Sequence, residues 1–230
     1  MCDGQNIPVE NWGQPGEPFE LVAVAVTATD WSRRLPAVTR GKLERFLDPS
    51  ARARAGASEW LKTCWLSAQL GLAEVEWETG PNAKPLLTGA AAEWGFNLSH
   101  AGDYAVAVLA RGAAAGVDLE SMSRRADVER LGERVFSASE QALVRAGGRE
   151  AFFTLWSQKE ALLKALGCGW ADGGIVRKTR LELLPYQIEP ATGVQIWSRP
   201  VLGGTYTLAV GLARDIRPMN ATLRASRFRS

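Results

Sequence analysis

Three carboxylates and two lysines fall within two short stretches of this chain, and their spacing suits a magnesium-dependent reaction on a pyrophosphate. In GVDLE, Gly116 to Glu120, the apolar Val117 and Leu119 alternate with Asp118 and Glu120. That is the period of a strand, so both carboxylates project from one face. In WSQKEALLK, Trp156 to Lys164, the residues Trp156, Glu160 and Lys164 stand four apart and share one stripe of a helix. Laying that stripe on that strand face brings Asp118, Glu120 and Glu160 together. Mg²⁺ is a hard ion, held by a few carboxylates plus substrate phosphates, so these acids are the expected metal ligands. Lys164, one turn beyond Glu160, is placed to neutralise a pyrophosphate. Lys159 points about 100° away on an ideal helix, with a stem long enough to reach the edge of the same site.

Each stretch alone has a plainer account. Asp-x-Glu is common at a solvated strand end. Glu and Lys four apart on a helix also form a surface ion pair, which stabilises it by ~0.2–0.5 kcal/mol. The conjunction of the two is what points to chemistry.

Four segments together resemble the Sfp-type phosphopantetheinyl transferases. GVDLE is similar to that family's G-[IV]-D-x-E strand, and WSQKEALLK, about forty residues on, to its [WF]-x-x-K-E-[AS]-x-x-K helix. NLSHAGDYAVAV, Asn97 to Val108, resembles the N-[IL]-S-H segment. AKPLL, Ala83 to Leu87, resembles G-K-P with Ala83 in the glycine position.

The resemblance implies two pseudo-symmetric α+β halves with the active site between them. It implies coenzyme A as substrate and transfer of its phosphopantetheine arm to a serine of an apo acyl or peptidyl carrier protein, with Mg²⁺, or Mn²⁺ in its place. Glu160 would then be metal ligand and general base, and Lys164 would assist the leaving group. Ser99 and His100 would contact the nucleotide phosphates of coenzyme A, with His100 at the 3′-phosphate. Arg54 matches a family arginine at that phosphate, with Arg52 as the competing assignment, and Lys84 and Pro85 would line the adenine end.

The elements that must position these groups follow from the rest of the chain. With 230 residues and 46 % hydrophobic content, it has enough apolar side chain for a buried core. The segments Gly102 to Arg111 and Gly204 to Arg214 resemble each other, which suggests two similar halves. We expect an N-terminal half over 1–113, a C-terminal half over 114–217 and a mobile basic tail over 218–230. The first half should hold a strand at 20–29, a long helix at 48–70, and strands at 74–78 and 103–110. The second should hold a strand at 116–120, helices near 138–146 and 150–166, and strands near 179–184, 194–199 and 206–213. Ser137 and Glu140 make a capping box, and Gly167 a helix stop. Strands and helices mix without strict alternation, so the class is α+β.

A net charge of +2 gives no global nucleic-acid signal, and the leading segment has neither a basic region nor an apolar core. The expectation is a cytoplasmic monomer with no membrane or nucleic-acid partner. Cys2, Cys64 and Cys168 are odd in number and in no zinc spacing, so they read as free thiols. Val128, Leu131 and Val135 make an apolar stripe among Arg124, Arg125, Arg130 and Arg134, which is either a docking face for an acidic carrier or an ordinary amphipathic helix. Nine scattered tryptophans suggest packing, with Trp156 as a buttress for the Glu160 helix. Two rival functions stay open: a phosphohydrolase using the same three acids, and a nucleotide or nucleic-acid binding module using the basic helix and tail.

Overall fold

The computed structural model describes residues 8–214, so the basic tail lies outside it. The first part of the chain forms β1 (Glu10–Asn11), β2 (Glu20–Ala25), α1 (Ala37–Leu43) and α2 (Pro49–Trp60). A π-helical turn over Leu61–Trp65 joins α2 to α3 (Leu66–Leu70). A small hairpin of β3 (Trp77–Thr79) and β4 (Pro85–Leu87) precedes β5 (Trp94–Ala101) and β6 (Tyr104–Arg111). Then come β7 (Ala114–Ser121), α4 (Val128–Val135), α5 (Ala138–Leu166), α6 (Gly173–Lys178), β8 (Tyr186–Ile188), β9 (Gln195–Val201) and β10 (Tyr206–Ala213). The class is α+β, as expected. No helix among the described residues is long and apolar enough to cross a membrane.

Two antiparallel four-stranded sheets form, ordered β1-β2-β6-β5 and β7-β10-β9-β8. The two repeated segments become the inner strands β6 and β10, and Tyr104 and Tyr206 meet edge to face with ring centroids 5.8 Å apart. Between the sheets Leu21, Val106 and Val108 pack with Val117, Leu119, Leu208 and Val210. The alternation along β7 therefore sends Val117 and Leu119 into this shared core and Gly116, Asp118 and Glu120 to the other side, against α5.

That approach is close. A Cβ on Gly116 would sit 2.1 Å from the Ala161 carbonyl, so glycine lets strand backbone touch helix backbone. Strands β5 and β7 face each other at the seam between the sheets. There Asn97 Oδ1 accepts from the Val117 N–H at 2.9 Å and Ser99 Oγ from the Leu119 N–H at 3.3 Å. Side chains of β5 thus satisfy donors that a strand partner would otherwise take.

Helix α5 begins at the expected capping box, with the Glu140 N–H donating to Ser137 Oγ at 3.3 Å and the Ser137 N–H to Glu140 Oε2 at 2.8 Å. It breaks helical geometry at Gly148 (φ 61°, ψ −141°) and ends at Gly167 in the left-handed region (φ 65°). The expected strand at 179–184 does not form. Its backbone is spent on side chains instead: the Leu181 N–H donates to Glu140 Oε1 and the Arg180 N–H to Glu189 Oε1. Cys64 is core-packed but disulfide-bonded, not a free thiol, whereas Cys168 keeps a buried thiol outside any disulfide. The stripe Val128, Leu131, Val135 turns inward and packs on the core of the second half, so it is not an exposed docking face.

Candidate active site

A cleft of about 570 Å³ opens between the two parts of the chain. Its walls include Lys42 of α1, Ser58 and Glu59 of α2, Ser99 and His100 of β5, Asp118 of β7, and Glu160 and Lys164 of α5.

Asp118 lies at the bottom, only 5 % exposed. Its Oδ1 accepts from Lys164 Nζ at 2.7 Å and from Ser99 Oγ at 3.1 Å, while its Oδ2 is buried with no partner. Lys164 Nζ also donates to the Val117 carbonyl at 3.0 Å. The expected pairing of Lys164 with Glu160 along the helix is thus replaced by a pairing across to the strand. Burial pushes the Asp118 carboxyl above its usual range, with Glu120 adding to the rise and Lys164 and Ser99 opposing it. Glu160 is raised by burial first and then by Asp118, and its Oε1 accepts from Trp170 Nε1. Glu120 is 8 % exposed and accepts from Arg124 Nη1 at 2.6 Å.

The three acids are electrostatic neighbours, yet the convergence expected of them is incomplete. Among the described residues no three His, Cys, Asp or Glu side chains gather closely enough to enclose a metal ion. Each acid instead has its own donor: Lys164 for Asp118, Arg124 for Glu120 and Trp170 for Glu160.

His100 sits exposed at the mouth. The protein wall behind it, then the charge of Arg54, then that of Lys164, hold its imidazole below the usual range. Arg54 makes a long ion pair of 3.8 Å with Asp48. Arg52 donates through Nη2 to the Phe46 carbonyl at 2.7 Å, so of the two arginines it is Arg54 whose charge reaches His100.

Two residues expected at the bound coenzyme A, Lys159 at the phosphate edge and Lys84 at the adenine end, lie elsewhere. Lys159 is 1 % exposed, with Nζ bonded to the Val176 carbonyl at 2.9 Å and paired with Glu140 at 3.2 Å. It is an internal strut of the second part and does not line the cleft, because the 100° turn from the Glu160 stripe points it into the core. Lys84 is buried too, its ammonium donating to the carbonyls of Ala115 (2.9 Å), Lys164 and Ala165 (3.3 Å). With Pro85 it borders a separate cavity of about 110 Å³, so neither residue lines the cleft.

Comparison with known proteins bears on this arrangement. A family model described as the 4′-phosphopantetheinyl transferase superfamily matches residues 114–185, from β7 through α5 to the edge of β8. The 4′-phosphopantetheinyl transferase HetI of Nostoc sp. is 31 % identical over 186 residues, spanning 77 % of this chain and 73 % of that protein. The chain belongs to the 4′-phosphopantetheinyl transferase superfamily. The 4′-phosphopantetheinyl transferase AcpT of Salmonella typhimurium is 32 % identical over 115 residues, 46 % of this chain and 59 % of that protein. The 4′-phosphopantetheinyl transferase psf-1 of Bacillus pumilus is 39 % identical over 108 residues, 45 % of each. The segment matched by the family model contains Asp118, Glu120, Glu160 and Lys164. Group transfer is accordingly the activity class, and neither the hydrolase nor the binding-module alternative is favoured.

For a transferase of this superfamily the donor set can be tested against a divalent cation. The orphaned Oδ2 of Asp118 is a buried acceptor that a hard cation would satisfy. Two carboxyls each raised by burial and by an acidic neighbour, Asp118 by Glu120 and Glu160 by Asp118, are what a site short of positive charge displays. The residues present fit such an ion. Sequence reasoning overlooked Ser58 and Glu59, read Arg124 only as one of the arginines around the Val128 stripe, and counted Trp170 among packing residues. Trp170 arrives from a turn whose direction no local period reveals.

Proposed function

We propose that this chain moves the 4′-phosphopantetheine group of coenzyme A onto a serine of an apo acyl or peptidyl carrier protein, releasing 3′,5′-adenosine bisphosphate. The observation that carries this reading is the cleft in which Asp118, with one unpaired buried oxygen, lies beside Glu160 and Lys164 of α5. In the reaction the serine oxygen bonds to the phosphorus next to the pantetheine. The bond from that phosphorus to the bridging pyrophosphate oxygen breaks, and the serine proton goes to a base.

Mg²⁺ or Mn²⁺, held by Asp118, Glu120 and Glu160 together with pyrophosphate oxygens, would supply charge neutralisation. Lys164 keeps its ammonium at the base of the cleft and offsets charge developing on the leaving bisphosphate. Glu160 is the base for the serine hydroxyl. Its pKa, raised by burial, moves toward the range in which a general base works near neutrality. Ser99 fixes Asp118 through its hydroxyl, and His100 and Arg54 receive the 3′-phosphate at the mouth. A guanidinium suits that dianion because it binds in a bidentate fork.

In the same reading residues 1–113 contact the nucleotide, 114–217 supply metal and catalytic groups, and the two halves are related by a pseudo-two-fold axis. The matching three-strand orders β2-β6-β5 and β7-β10-β9 support that relation. The protein would act as a cytoplasmic monomer with no membrane or nucleic-acid partner, its tail over 218–230 outside the catalytic halves. Mass spectrometry on a panel of apo carriers incubated with coenzyme A and Mg²⁺ tests the function. The expected result is a gain of one phosphopantetheine per carrier, abolished by EDTA. Phosphate release from a small ester with no carrier modified would return the hydrolase reading.

A further inference from the structure

Trp170 belongs to none of the segments that carry the family resemblance, yet its indole Nε1 donates to Glu160 Oε1. The turn after α5 puts it there. Gly167 closes the helix, after which Asp172 Oδ2 accepts from the Gly169 N–H at 2.8 Å and the Asp172 N–H donates to the Gly169 carbonyl at 2.9 Å. Asn82 pins the same turn from the other part of the chain, its Nδ2 donating to the Gly167 carbonyl at 2.9 Å. The chain is folded back along the helix, and the Trp170 ring lies on Trp156 with centroids 4.7 Å apart. Arg124 sits over the Trp156 ring at 5.8 Å while its Nη1 holds Glu120. Contacts therefore run without a gap from Glu120 through Arg124, Trp156 and Trp170 to Glu160.

We propose that Arg124, Trp156 and Trp170 form a brace that fixes the rotamers of Glu120 and Glu160, the two acids flanking Asp118, and so positions the cation-binding oxygens of the site. The proposal rests on the metal-dependent transfer argued above. A glutamate carboxylate hangs on three soft torsions, and a donor on one oxygen removes that freedom while leaving the second oxygen for a ligand. The link between the donors is a pair of aromatic rings in tilted contact, with an interplanar angle of 30°, and rigid planar rings leave few torsions to absorb a displacement. Partners of this outer kind, when removed from metal sites, typically cost ~10–100-fold in metal affinity or activity. None of the three touches the substrate in this assignment; they are positioning residues.

Trp170→Phe keeps a ring on Trp156 and deletes only the N–H, and Arg124→Met removes the donor to Glu120 from the half-exposed end of the brace. Mn²⁺ binding is followed by electron paramagnetic resonance with coenzyme A present and carrier absent, so that no turnover occurs. Each variant is expected to bind Mn²⁺ about tenfold or more weakly, with an unchanged KM for coenzyme A at saturating Mn²⁺. The double variant should lose less than the product of the two single losses, because the brace is shared. Wild-type Mn²⁺ affinity in a folded Trp170→Phe protein overturns the brace, as do single losses that multiply in the double variant. Should Trp170→Phe not fold, Arg124→Met decides alone, with unaltered Mn²⁺ affinity overturning the proposal. A wild-type protein that binds no Mn²⁺ and modifies no carrier would remove the function itself, whereas normal wild-type transfer with unaffected variants removes only the brace.

Discussion

At the scale of single residues, Asp118 and Glu160 are ionisable groups that the fold makes reluctant to ionise. Burial raises both, and each is further raised by an acidic neighbour. A cation held by these acids would favour the ionised forms, so protons and Mg²⁺ would compete for the same oxygens. The transfer rate should therefore fall on the acid side with a limb above the ordinary carboxylate range of about 4, and increasing Mg²⁺ should shift that limb to lower pH. Rate profiles at several fixed Mg²⁺ concentrations check this; a limb that ignores Mg²⁺ contradicts the assignment of these acids. Lys164→Ala removes the charge that opposes the Asp118 rise. The limb should then move to higher pH and kcat should drop by about a hundredfold or more, the scale of a lost electrostatic contact. Because Lys164 pairs with a buried carboxylate at 2.7 Å, the same variant should also melt earlier. Its ammonium is partly solvated, so the loss stays below the ~3–5 kcal/mol of breaking a fully buried pair. Normal kcat together with lowered stability would leave Lys164 a purely structural residue.

Among the elements, the C-terminal end of α5 is held from the other part of the chain by Lys84. Burial pushes this lysine down to about 8, so it is still an ammonium at neutral pH, set among carbonyls at the negative end of the helix. Lys84→Met should cost about 1–3 kcal/mol, since buried acceptors would be left unsatisfied, as thermal unfolding would show. The neighbouring Ala83 has φ 58°, a region that costs an L-residue ~1–2 kcal/mol. Ala83→Gly should therefore stabilise the protein by about 0.5–1 kcal/mol after the entropy of glycine in the unfolded chain is offset; an unchanged melting temperature would refute that. These elements also mark how far the sequence was legible. Alternation in GVDLE and the four-residue stripe of WSQKEALLK foretold β7, α5 and the meeting of Asp118 with Glu160, because those periods are local. Lys159 was assigned to the edge of the phosphate site and Lys84 to the adenine end, while their true acceptors are mostly backbone carbonyls of residues distant in sequence, which no side-chain pattern announces. The segment 179–184 looked like a strand by composition, and only the buried carboxylates of Glu140 and Glu189 explain why its N–H groups bond elsewhere.

For the molecule as a whole, the cleft draws its walls from both sides of the β5/β7 seam: Ser99 and His100 precede it in the chain, while Asp118, Glu160 and Lys164 follow it. In the proposed function the two sets have separable duties, recognition of the nucleotide for the first and chemistry for the second. His100 feels the charge of Arg54 before that of Lys164, which places the two basic groups of the mouth together. If they receive the 3′-phosphate, the wild-type protein should prefer coenzyme A over 3′-dephospho-coenzyme A. A charge-assisted contact is worth ~1.5–3 kcal/mol, so His100→Ala and Arg54→Ala should each shrink that preference by about one to two orders of magnitude. Asp118→Asn, which acts on the chemical step, should instead depress kcat for both substrates alike and leave the preference intact. Steady-state constants for the two thioester-free substrates on all four proteins separate these outcomes. Equal losses for both substrates in His100→Ala and Arg54→Ala would mean that the mouth residues support the fold of the seam and do not read the phosphate.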